Sequence, residues 1–424
     1  MVHVNVLEEK RPFVLEEIVI GRDDDDMKKY GKKGTILTGK HIVGTGEDAH
    51  VTTPLLFDVL RPHIMMITGK RGSGKSYYFG VVAEEFAKLP DNVGKNLCAL
   101  IIDTQGIFWT MKSPNEDLAE LSEWGLKPRG FPVNIYVPEG QENLFSAGGV
   151  DYDDTFAIAP YELSVNDWLD VFSLEPTETT GIILQKTVSK LQGKYTLDDI
   201  IEALGKEKTF VKESLALQNI FDTARTWGIF GNTRMPEILV PGKISVIDMS
   251  LTPNNVRALL LSLVGKKIFY KRVEARRKEE IESMDITASY SRIPMPWIFI
   301  DEAHNFLPNE GKTAATDILT KIVKEGRQPG ITLVFATQQP EKLHRDALSQ
   351  CDLIISHRLT AKNDIEALKN IMQTYMLFDI TKYINDLPKT KGVAIILDDN
   401  SERMYKIKIR PRQSWHAGSS PLAL

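Results

Sequence analysis

Residues 69–76 (GKRGSGKS) combine glycines, a lysine and a serine hydroxyl in the G-x-x-x-x-G-K-[ST] spacing that binds nucleotide phosphates. The segment follows an apolar run over 63–68 and precedes a helical pattern over 77–89, the context that the motif requires. Backbone N–H groups of such a loop face phosphate oxygens, Lys75 adds a cation near the β- and γ-phosphates, and Ser76 can ligate Mg²⁺. The sequence therefore predicts a site for ATP and Mg²⁺ formed by Gly69, Lys70, Arg71, Gly72, Ser73, Gly74, Lys75, Ser76 and Tyr77.

A second group of catalytic candidates follows the apolar run over 297–300. Asp301 stands at the end of this predicted strand, where its carboxylate would hold Mg²⁺ through water. Glu302 would act as the general base that polarises a water molecule for attack on the γ-phosphate. The presence of these two carboxylates together with the phosphate loop predicts hydrolysis of the nucleotide rather than its storage.

Polar residues near the next predicted strand would complete the catalytic group. Gln338 follows the strand predicted over 331–335, so it is placed to sense the γ-phosphate. Arg327 would stabilise the transferring phosphoryl group as an arginine finger, within its own subunit or across to another. The alternative for Arg327 is a surface arginine in a salt bridge. Further candidates for contacts to the nucleotide of a neighbouring subunit are Arg358, Arg410 and Arg412.

Residues 301–304 (DEAH) also match a motif of two-lobed helicases. Lys75 and Asp301 are 226 residues apart, which is too long for a compact helicase lobe, and about 120 residues follow the motif, too few for a second nucleotide-binding lobe. The sequence therefore argues against the two-lobed class. His304 has no His or Cys partner at metal-ligand spacing and is predicted to be a local packing or coupling residue.

Alternating strand and helix patterns from about residue 60 predict an α/β fold with a mostly parallel sheet flanked by helices. Apolar runs typical of buried strands cover 97–102, 133–137, 244–247, 297–300, 331–335, 353–355 and 393–396. Only helical patterns occur between 160 and 232, so a helical insertion is predicted to interrupt the sheet. The predicted units are a short β-rich N-terminal segment over 1–58, a core over 59–416 that contains the insertion, and a tail over 417–424.

Local signals refine these elements. Ser164 and Thr196 are predicted helix N-caps, because an aspartate stands three residues after each of them. A long amphipathic helix is predicted to begin near Val256 and to be followed by a flexible loop over 281–295. The acidic run over 23–26 is predicted to be a solvated turn.

Composition limits the class of protein. The chain has 424 residues and a net charge of −5, which argues against a protein that coats DNA, although a ring with a basic channel remains compatible. Cys98 and Cys351 lie in apolar surroundings and are predicted to be buried free thiols in a reducing compartment. No apolar run approaches the length of a membrane span, and the N-terminus lacks a signal-peptide pattern. We therefore expect a cytoplasmic protein without a membrane segment.

The order of motifs resembles that of the HerA-type ATPases, which belong to the HerA/FtsK group of RecA-like hexameric DNA motors. The resemblance covers about residues 60–416. The matching segments are the phosphate loop, 247–250 (IDMS), 301–308 (DEAHNFLP), 325–327 (EGR), 336–340 (ATQQP), 348–352 (LSQCD) and 407–416 (IKIRPRQSWH), together with the helical insertion.

The resemblance implies a RecA-like P-loop NTPase core in a homo-oligomeric ring, expected to be a hexamer, that hydrolyses ATP and translocates along double-stranded DNA. It also implies a partner nuclease in DNA end processing, or another effector in phage defence. Two departures affect these expectations. The N-terminal segment looks too short for the β-barrel that docks the nuclease in the family, and Ile107 stands where a glutamate is common, which leaves Asp103 as the carried-over acidic contact.

Two other functions remain compatible with the sequence. One is a nucleotide-gated scaffold that assembles and switches an effector, and the other is a secretion or conjugation ATPase, which shares the fold. Pore contacts to DNA cannot be assigned from the sequence; the candidates are Lys112, Lys127 and Arg129.

Overall fold

The computed structural model describes residues 17–44, 48–232, 235–284, 292–359, 362–372, 383–384, 387–388 and 390–418. The strands within these ranges are β1 (Ile18–Ile20), β2 (Thr35–Val43), β3 (His50–Asp58), β4 (Ile64–Thr68), β5 (Leu97–Asp103), β6 (Val133–Pro138), β7 (Asp154–Phe156), β8 (Ile244–Asp248), β9 (Met295–Ile300), β10 (Thr332–Thr337), β11 (Leu353–His357), β12 (Val393–Asp398) and β13 (Arg403–Ile409). The helices are α1 (Asp24–Tyr30), α2 (Lys75–Phe86), α3 (Asp91–Gly94), α4 (Leu118–Glu123), α5 (Glu142–Ala147), α6 (Val165–Phe172), α7 (Thr179–Lys190), α8 (Leu197–Gly205), α9 (Val211–Arg225), α10 (Asn254–Met284), α11 (Thr316–Glu325), α12 (Arg345–Ser349) and α13 (Lys362–Met372).

The centre of the sheet is parallel. Its strands lie side by side in the order β11, β4, β10, β9, β5, β8, β6 and β7. Carboxyl ends of parallel strands meet at one edge of a sheet, so the residues that follow β4, β5, β9, β10 and β11 lie together. We call this side the carboxyl edge and the opposite side the amino edge. The predicted α/β fold with a mostly parallel sheet is confirmed.

The N-terminal segment extends the same sheet. β13 pairs antiparallel with both β12 and β2, β2 pairs antiparallel with β3, and β1 runs parallel to β3. The described part of the predicted β-rich segment therefore joins the core rather than forming a separate unit. The solvated turn predicted over 23–26 is wrong, because these acidic residues begin α1, with Asp23 as the N-cap that accepts a hydrogen bond from the Asp26 N–H.

Two cores cover the two faces of the sheet. Side chains alternate along each strand, so Ile64 and Met66 of β4 face one core while Met65 and Ile67 face the other. The first core contains the helices of the insertion with α10 and α11, and the second contains α2. Burial on both faces explains why these strands have near-continuous apolar sequences.

The predicted helical insertion is present as α6 to α9. α6 and α8 both begin with capping boxes, in which Ser164 is paired with Asp167 and Thr196 with Asp199, as predicted. Trp168 is fully buried in this unit and contacts the rings of Phe172 and Phe221.

Other predictions about the elements have mixed outcomes. The long helix is present as α10, but it continues to Met284, beyond the predicted start of the loop, and residues 285–291 lie outside the described residues. Cys98 and Cys351 are free thiols, as predicted, but only Cys98 of these two is buried, whereas Cys351 is partly exposed. Among the helices in the described ranges, none combines the length and the apolar character that a bilayer crossing requires. Of the predicted tail, residues 419–424 lie outside the described residues.

Candidate nucleotide-binding site

The phosphate loop, residues 69–74, connects β4 to α2 at the carboxyl edge. Gly69, Gly72 and Gly74 have φ angles of 155°, 74° and 113°, which lie in the region that favours glycine. A Cβ atom on Gly69 would lie 2.5 Å from Ser73 Oγ, so the loop is too closely folded for a side chain there. Gly74 is the N-cap of α2, and the N-terminal amides of this helix therefore point into the loop. This is the strand–loop–helix geometry predicted from the motif.

Lys75 lies inside the loop. Its Nζ donates hydrogen bonds to the carbonyl oxygens of Gly69 at 3.0 Å and Lys70 at 3.4 Å. Burial lowers the pKa of the Lys75 ammonium, while Glu302 and Asp301 oppose this shift by their charge. Lys70 and its neighbour Arg71 are exposed on the outer side of the loop. Among these three basic residues, Lys75 is thus the buried one.

The two predicted metal ligands are in direct contact. The Ser76 hydroxyl donates a hydrogen bond of 2.6 Å to Asp301 Oδ2. Asp301 is buried at the end of β9, and burial raises the pKa of its carboxyl, while the bond from Ser76 opposes that shift. The parallel pairing of β4, β10 and β9 brings these residues together across a long stretch of sequence.

Glu302 lies in the turn after Asp301 in a left-handed conformation, with φ of 48° and ψ of 47°, which is uncommon outside glycine. Its Oε1 accepts a hydrogen bond from Gln338 Nε2. Its Oε2 is buried without a hydrogen-bond partner in the described part of the chain. The Glu302 carboxylate therefore has one oxygen engaged and one available to accept a proton.

His304 makes local contacts, which is compatible with the predicted packing or coupling residue. Its Nδ1 lies 3.0 Å from Thr337 Oγ1 and 3.6 Å from Glu302 Oε2. Burial lowers the pKa of His304, so the imidazole is neutral at pH 7. No group of three or more His, Cys, Asp or Glu residues that could hold a metal ion occurs in the described ranges.

Arg327 lies at the amino edge, in the connection between α11 and β10. Its side chain is exposed and has no ion pair or hydrogen bond to a described residue. With Tyr270, Arg277, Lys321 and Lys324 it lines a cavity of about 800 Å³. The six residues of β10 separate this edge from the phosphate loop by roughly 20 Å. Arg327 is therefore far from the phosphate loop of its own subunit.

Arg410 and Arg412 are placed differently from the prediction. Both are fully buried, and both form ion pairs with Glu84 of α2. Arg410 also donates to the carbonyl oxygen of Val81. The prediction that these arginines contact a neighbouring subunit's nucleotide is wrong, because their guanidinium groups are enclosed within their own subunit. They attach the C-terminal segment to α2.

Tyr77 faces the same C-terminal segment. Its hydroxyl accepts a hydrogen bond of 2.7 Å from the Arg412 N–H, and its ring meets the His416 ring edge-on at 5.2 Å. A contact between Tyr77 and nucleotide stays a prediction. Arg358 directly follows β11 at the carboxyl edge and is half-buried, and its role also stays a prediction.

The residues present are compatible with Mg²⁺ bound together with a nucleotide. Magnesium in phosphate-transfer sites keeps several waters and takes only one or two protein ligands, with the rest of its shell from phosphate oxygens. Ser76 and Asp301 provide such a pair of oxygen ligands beside the phosphate loop. Their number fits a metal ion shared with phosphates better than a site made by the protein alone.

Family comparison agrees with this geometry. Residues 39–268 match the model of the HerA helicase central domain, and residues 292–414 match the model of the HerA-like helicase C-terminal domain. The chain belongs to the HerA helicase family. The family match begins within β2, which supports the observation that the N-terminal strands are continuous with the core.

Curated HerA relatives are longer than this chain. The DNA double-strand break repair helicase HerA of Pyrococcus furiosus is 30% identical over 56% of this chain and 51% of its own length. The HerA helicase of Sulfurisphaera tokodaii is 22% identical over 94% of this chain and 74% of its own length. A probable HerA of Methanocaldococcus jannaschii is 24% identical over 71% of this chain and 62% of its own length. The chain thus spans about half to three quarters of these relatives.

Solved structures confirm the fold. VirB4 of Thermoanaerobacter pseudethanolicus is 13% identical, with a TM-score of 0.56 over 93% of this chain and 98% of its own. The plasmid coupling protein TrwB, in complex with the non-hydrolysable ATP analogue ADPNP, is 14% identical, with a TM-score of 0.50 over 91% of this chain and 96% of its own. These similarities support the RecA-like core that was expected from the resemblance.

One residue of this HerA-family site was not predicted from the sequence. Gln105 follows β5, and its Nε2 donates a hydrogen bond of 3.2 Å to Asp301 Oδ2, the oxygen that also accepts from Ser76. The signal that could have found it is a polar residue shortly after a strand end, the same signal that predicted Gln338. Gln105 therefore contacts one of the two predicted metal ligands.

Asp103 supports the turn that carries Gln105. Its carboxylate accepts hydrogen bonds from four backbone N–H groups, at positions 105 to 108. Burial, with the adjacent Asp248 carboxyl, raises the pKa of Asp103 to about 7. The acidic contact expected of Asp103 from the resemblance is not available to a ligand, because this buried carboxylate is used within its own turn.

Proposed function

We propose that the protein is an ATPase that uses the energy of hydrolysis to move along double-stranded DNA. The observation that carries the proposal is the convergence of Lys75, Ser76, Asp301, Glu302 and Gln338 at the carboxyl edge. A phosphate loop next to an available buried carboxylate is the arrangement that phosphoryl transfer to water requires.

Each residue has a separate role in this proposal. The loop amides and Lys75 bind the phosphates, and the Glu302 carboxylate takes the proton of the attacking water through its unengaged Oε2. Gln338 holds the other oxygen of Glu302 and so fixes the direction of the base. Ser76 and Asp301 would hold Mg²⁺, which supplies positive charge to the phosphate oxygens when bound.

The position of Arg327 supports a homo-oligomer. An exposed guanidinium that has no ion pair among the described residues and lies roughly 20 Å from its own phosphate loop can serve as an arginine finger only for the nucleotide of another copy. Head-to-tail contacts of this kind generate a ring when the rotation between successive copies closes. We therefore propose a ring, with six subunits as the expected number, in which Arg327 acts in trans.

Double-stranded DNA is the proposed track, and a nuclease or another effector is the proposed partner. The support is the family, whose curated relatives are named as helicases of DNA double-strand break repair. Lys112 is less suited to a DNA contact than the sequence suggested, because it forms ion pairs with Asp151 and Asp153. Processing of DNA ends and phage defence are the proposed settings.

The test measures ATP hydrolysis with and without linear duplex DNA, together with the mass of the particle in solution. A ring motor should form a particle of several subunits, and duplex DNA should stimulate its ATPase activity. A monomer that is indifferent to DNA would remove the motor proposal. An oligomer that hydrolyses ATP but displaces no strand from a DNA triplex would instead indicate a nucleotide-gated scaffold.

A further inference from the structure

His357 is the last residue of β11 and lies beside the phosphate loop. Ser356 pairs with Thr68 at the end of β4, so His357 is next to Gly69. The His357 Cβ lies 2.6 Å from the position of a Cβ on Gly69, and its Cε1 lies 3.4 Å from that of a Cβ on Gly74. His357 is 1% exposed, and its side chain therefore runs beneath the loop from the first glycine to the last.

The hydrogen bonds of the ring define its protonation state. Nδ1 lies 3.1 Å from the carbonyl oxygen of Val393, which can only accept, so Nδ1 carries the hydrogen. Burial lowers the pKa of His357 to about 4, and the ring is therefore neutral at pH 7. Nε2 must then be an acceptor. It is buried and has no partner among the residues that the structure describes.

A donor without a partner lies on the loop itself. Ser73 Oγ is buried without a hydrogen-bond partner in the described ranges, and it is 2.5 Å from the position of a Cβ on Gly69. Gly69 is thus flanked by the Ser73 hydroxyl and by the His357 Cβ, and the ring of His357 extends from there towards Gly74. A buried polar atom without a partner is unfavourable, so a small movement of the loop that joins these two groups would stabilise the moved form.

We propose that His357 is a positioning residue of the phosphate loop, whose Nε2 accepts a hydrogen bond from the Ser73 hydroxyl when the loop closes on nucleotide phosphates. The inference rests on the proposed binding of nucleotide to residues 69–76. Because the bond forms only in the closed loop, it strengthens nucleotide binding and does not stabilise the free protein.

The test is a double-mutant cycle on the full chain with Ser73→Ala and His357→Phe. Phenylalanine keeps a ring but lacks the acceptor. The affinities for ATP and ADP and the melting temperature without nucleotide are measured for wild type, both single variants and the double variant. Each single variant should bind both nucleotides about tenfold more weakly. The double variant should bind no more weakly than either single variant, because the same bond is lost in all three.

Melting behaviour separates positioning from a merely structural role. The His357→Phe variant loses the unsatisfied Nε2 but also the bond from Nδ1 to Val393, and these two changes oppose each other, so its melting temperature without nucleotide should change little. His357→Gln, which keeps a hydrogen-bond acceptor, should bind better than His357→Phe. It also provides a second cycle with Ser73→Ala if the phenylalanine variant does not fold. His41→Phe, on β2 and four strands away from β4, is the matched control and should leave nucleotide affinity unchanged.

Several results would overturn the inference. Additive losses in the double variant would mean that the two side chains act independently. Unchanged affinity in either single variant would mean that the bond is not made, and a loss with His357→Phe alone would point to a donor other than Ser73. Failure of the wild-type protein to bind any nucleotide is a different result, because it would contradict the proposed function itself.

Discussion

The two edges of the sheet differ in how their functional side chains are held. At the carboxyl edge, Ser76 and Gln105 share an oxygen of Asp301, and Gln338 holds Glu302. At the amino edge, the side chain of Arg327 is exposed without an ion pair or a hydrogen bond to any described residue. The side chains at the carboxyl edge are thus held by hydrogen bonds within the subunit, whereas no described residue holds the Arg327 guanidinium.

This difference shows which side chains a single subunit holds in position by itself. Side chains that act within the subunit are pre-ordered by mutual hydrogen bonds, which keeps them in position before the reaction. A side chain that acts on another copy has its partner only in the assembly. In the ring that we propose, the predicted catalytic residues are divided between two subunits, and substitutions at the two edges should differ in their effects.

The largest expected effect is at the amino edge. Arg327→Ala should lower kcat for ATP about 10³- to 10⁵-fold, the range found for arginine fingers. In mixtures with wild type, the loss of activity should be greater than proportional to the fraction of variant, because each defective subunit also impairs its neighbour's site. Arg277→Ala, an exposed arginine of the same cavity, is the control and should have little effect. Activity that falls in proportion to the fraction of variant would contradict action in trans.

At the carboxyl edge, Glu302→Gln should lower kcat by about 10²- to 10⁴-fold while ATP binding persists. The amide keeps the size of the side chain but cannot take a proton from water. Steady-state hydrolysis and binding of a fluorescent ATP analogue measure the two properties. The matched control is Glu310→Gln, an exposed glutamate downstream in the same connection. Unchanged turnover in Glu302→Gln would remove Glu302 as the base.

Lys75→Ala should weaken ATP binding about 100-fold, because the phosphates lose the buried cation of the loop. Isothermal titration with ATP measures the loss. Lys70→Ala removes an exposed lysine of the same loop and should cost far less affinity. Equal affinities in wild type and Lys75→Ala would show that this loop is not where the phosphates bind.

The smallest effect concerns an ion-paired histidine at the amino end of β4. His63 Nδ1 lies 2.7 Å from Asp352, and Nε2 lies 3.6 Å from Asp58. Burial alone would lower the pKa of His63, but the two carboxylates outweigh it and raise the pKa from 6.5 to about 10. The ion pairs of His63 with Asp352 and Asp58 therefore stabilise the fold fully below about pH 6.5, and this stabilisation is lost as the pH rises towards 10.

The variant His63→Gln tests this titration. Its free energy of unfolding should be lower than that of wild type by about 3 kcal/mol at pH 6, as for other broken buried ion pairs. The difference should shrink between pH 6.5 and 10, while ATP turnover at pH 7 changes little. Denaturant titrations of both proteins at several pH values in this range measure the difference in the free energy of unfolding. A difference that is constant with pH would mean that His63 is neutral in the folded protein.

Local sequence was enough to predict most of the elements and the centre of the site. The strands over 97–102 and 297–300 are apolar because both of their faces are buried, and the motif at 69–76 has its chemistry within eight residues. Capping boxes at Ser164 and Thr196 were also predictable, since they depend on residues three apart.

Predictions failed or fell short where a side chain's partner is distant in the sequence. From the sequence, Arg410 was expected to be free to contact a neighbouring nucleotide. In the structure it is buried and forms an ion pair with Glu84 on α2. Gln105 was missed because its partner, Asp301, follows β9, and His357 was missed because it contacts the phosphate loop. Only the strand order places these distant parts of the sequence side by side.

The sequence by itself determined the fold class, the phosphate loop and the two carboxylates after β9, because these follow from burial patterns and from residues close together in the chain. The positions of Gln105 and His357 beside these groups depend on tertiary structure. Parallel strand order brings Gln338, Gln105 and His357 to the carboxyl edge and leaves Arg327 at the amino edge. The physical reason is that hydrogen bonds and ion pairs act over a few ångströms, and the pairing of distant strands sets those distances.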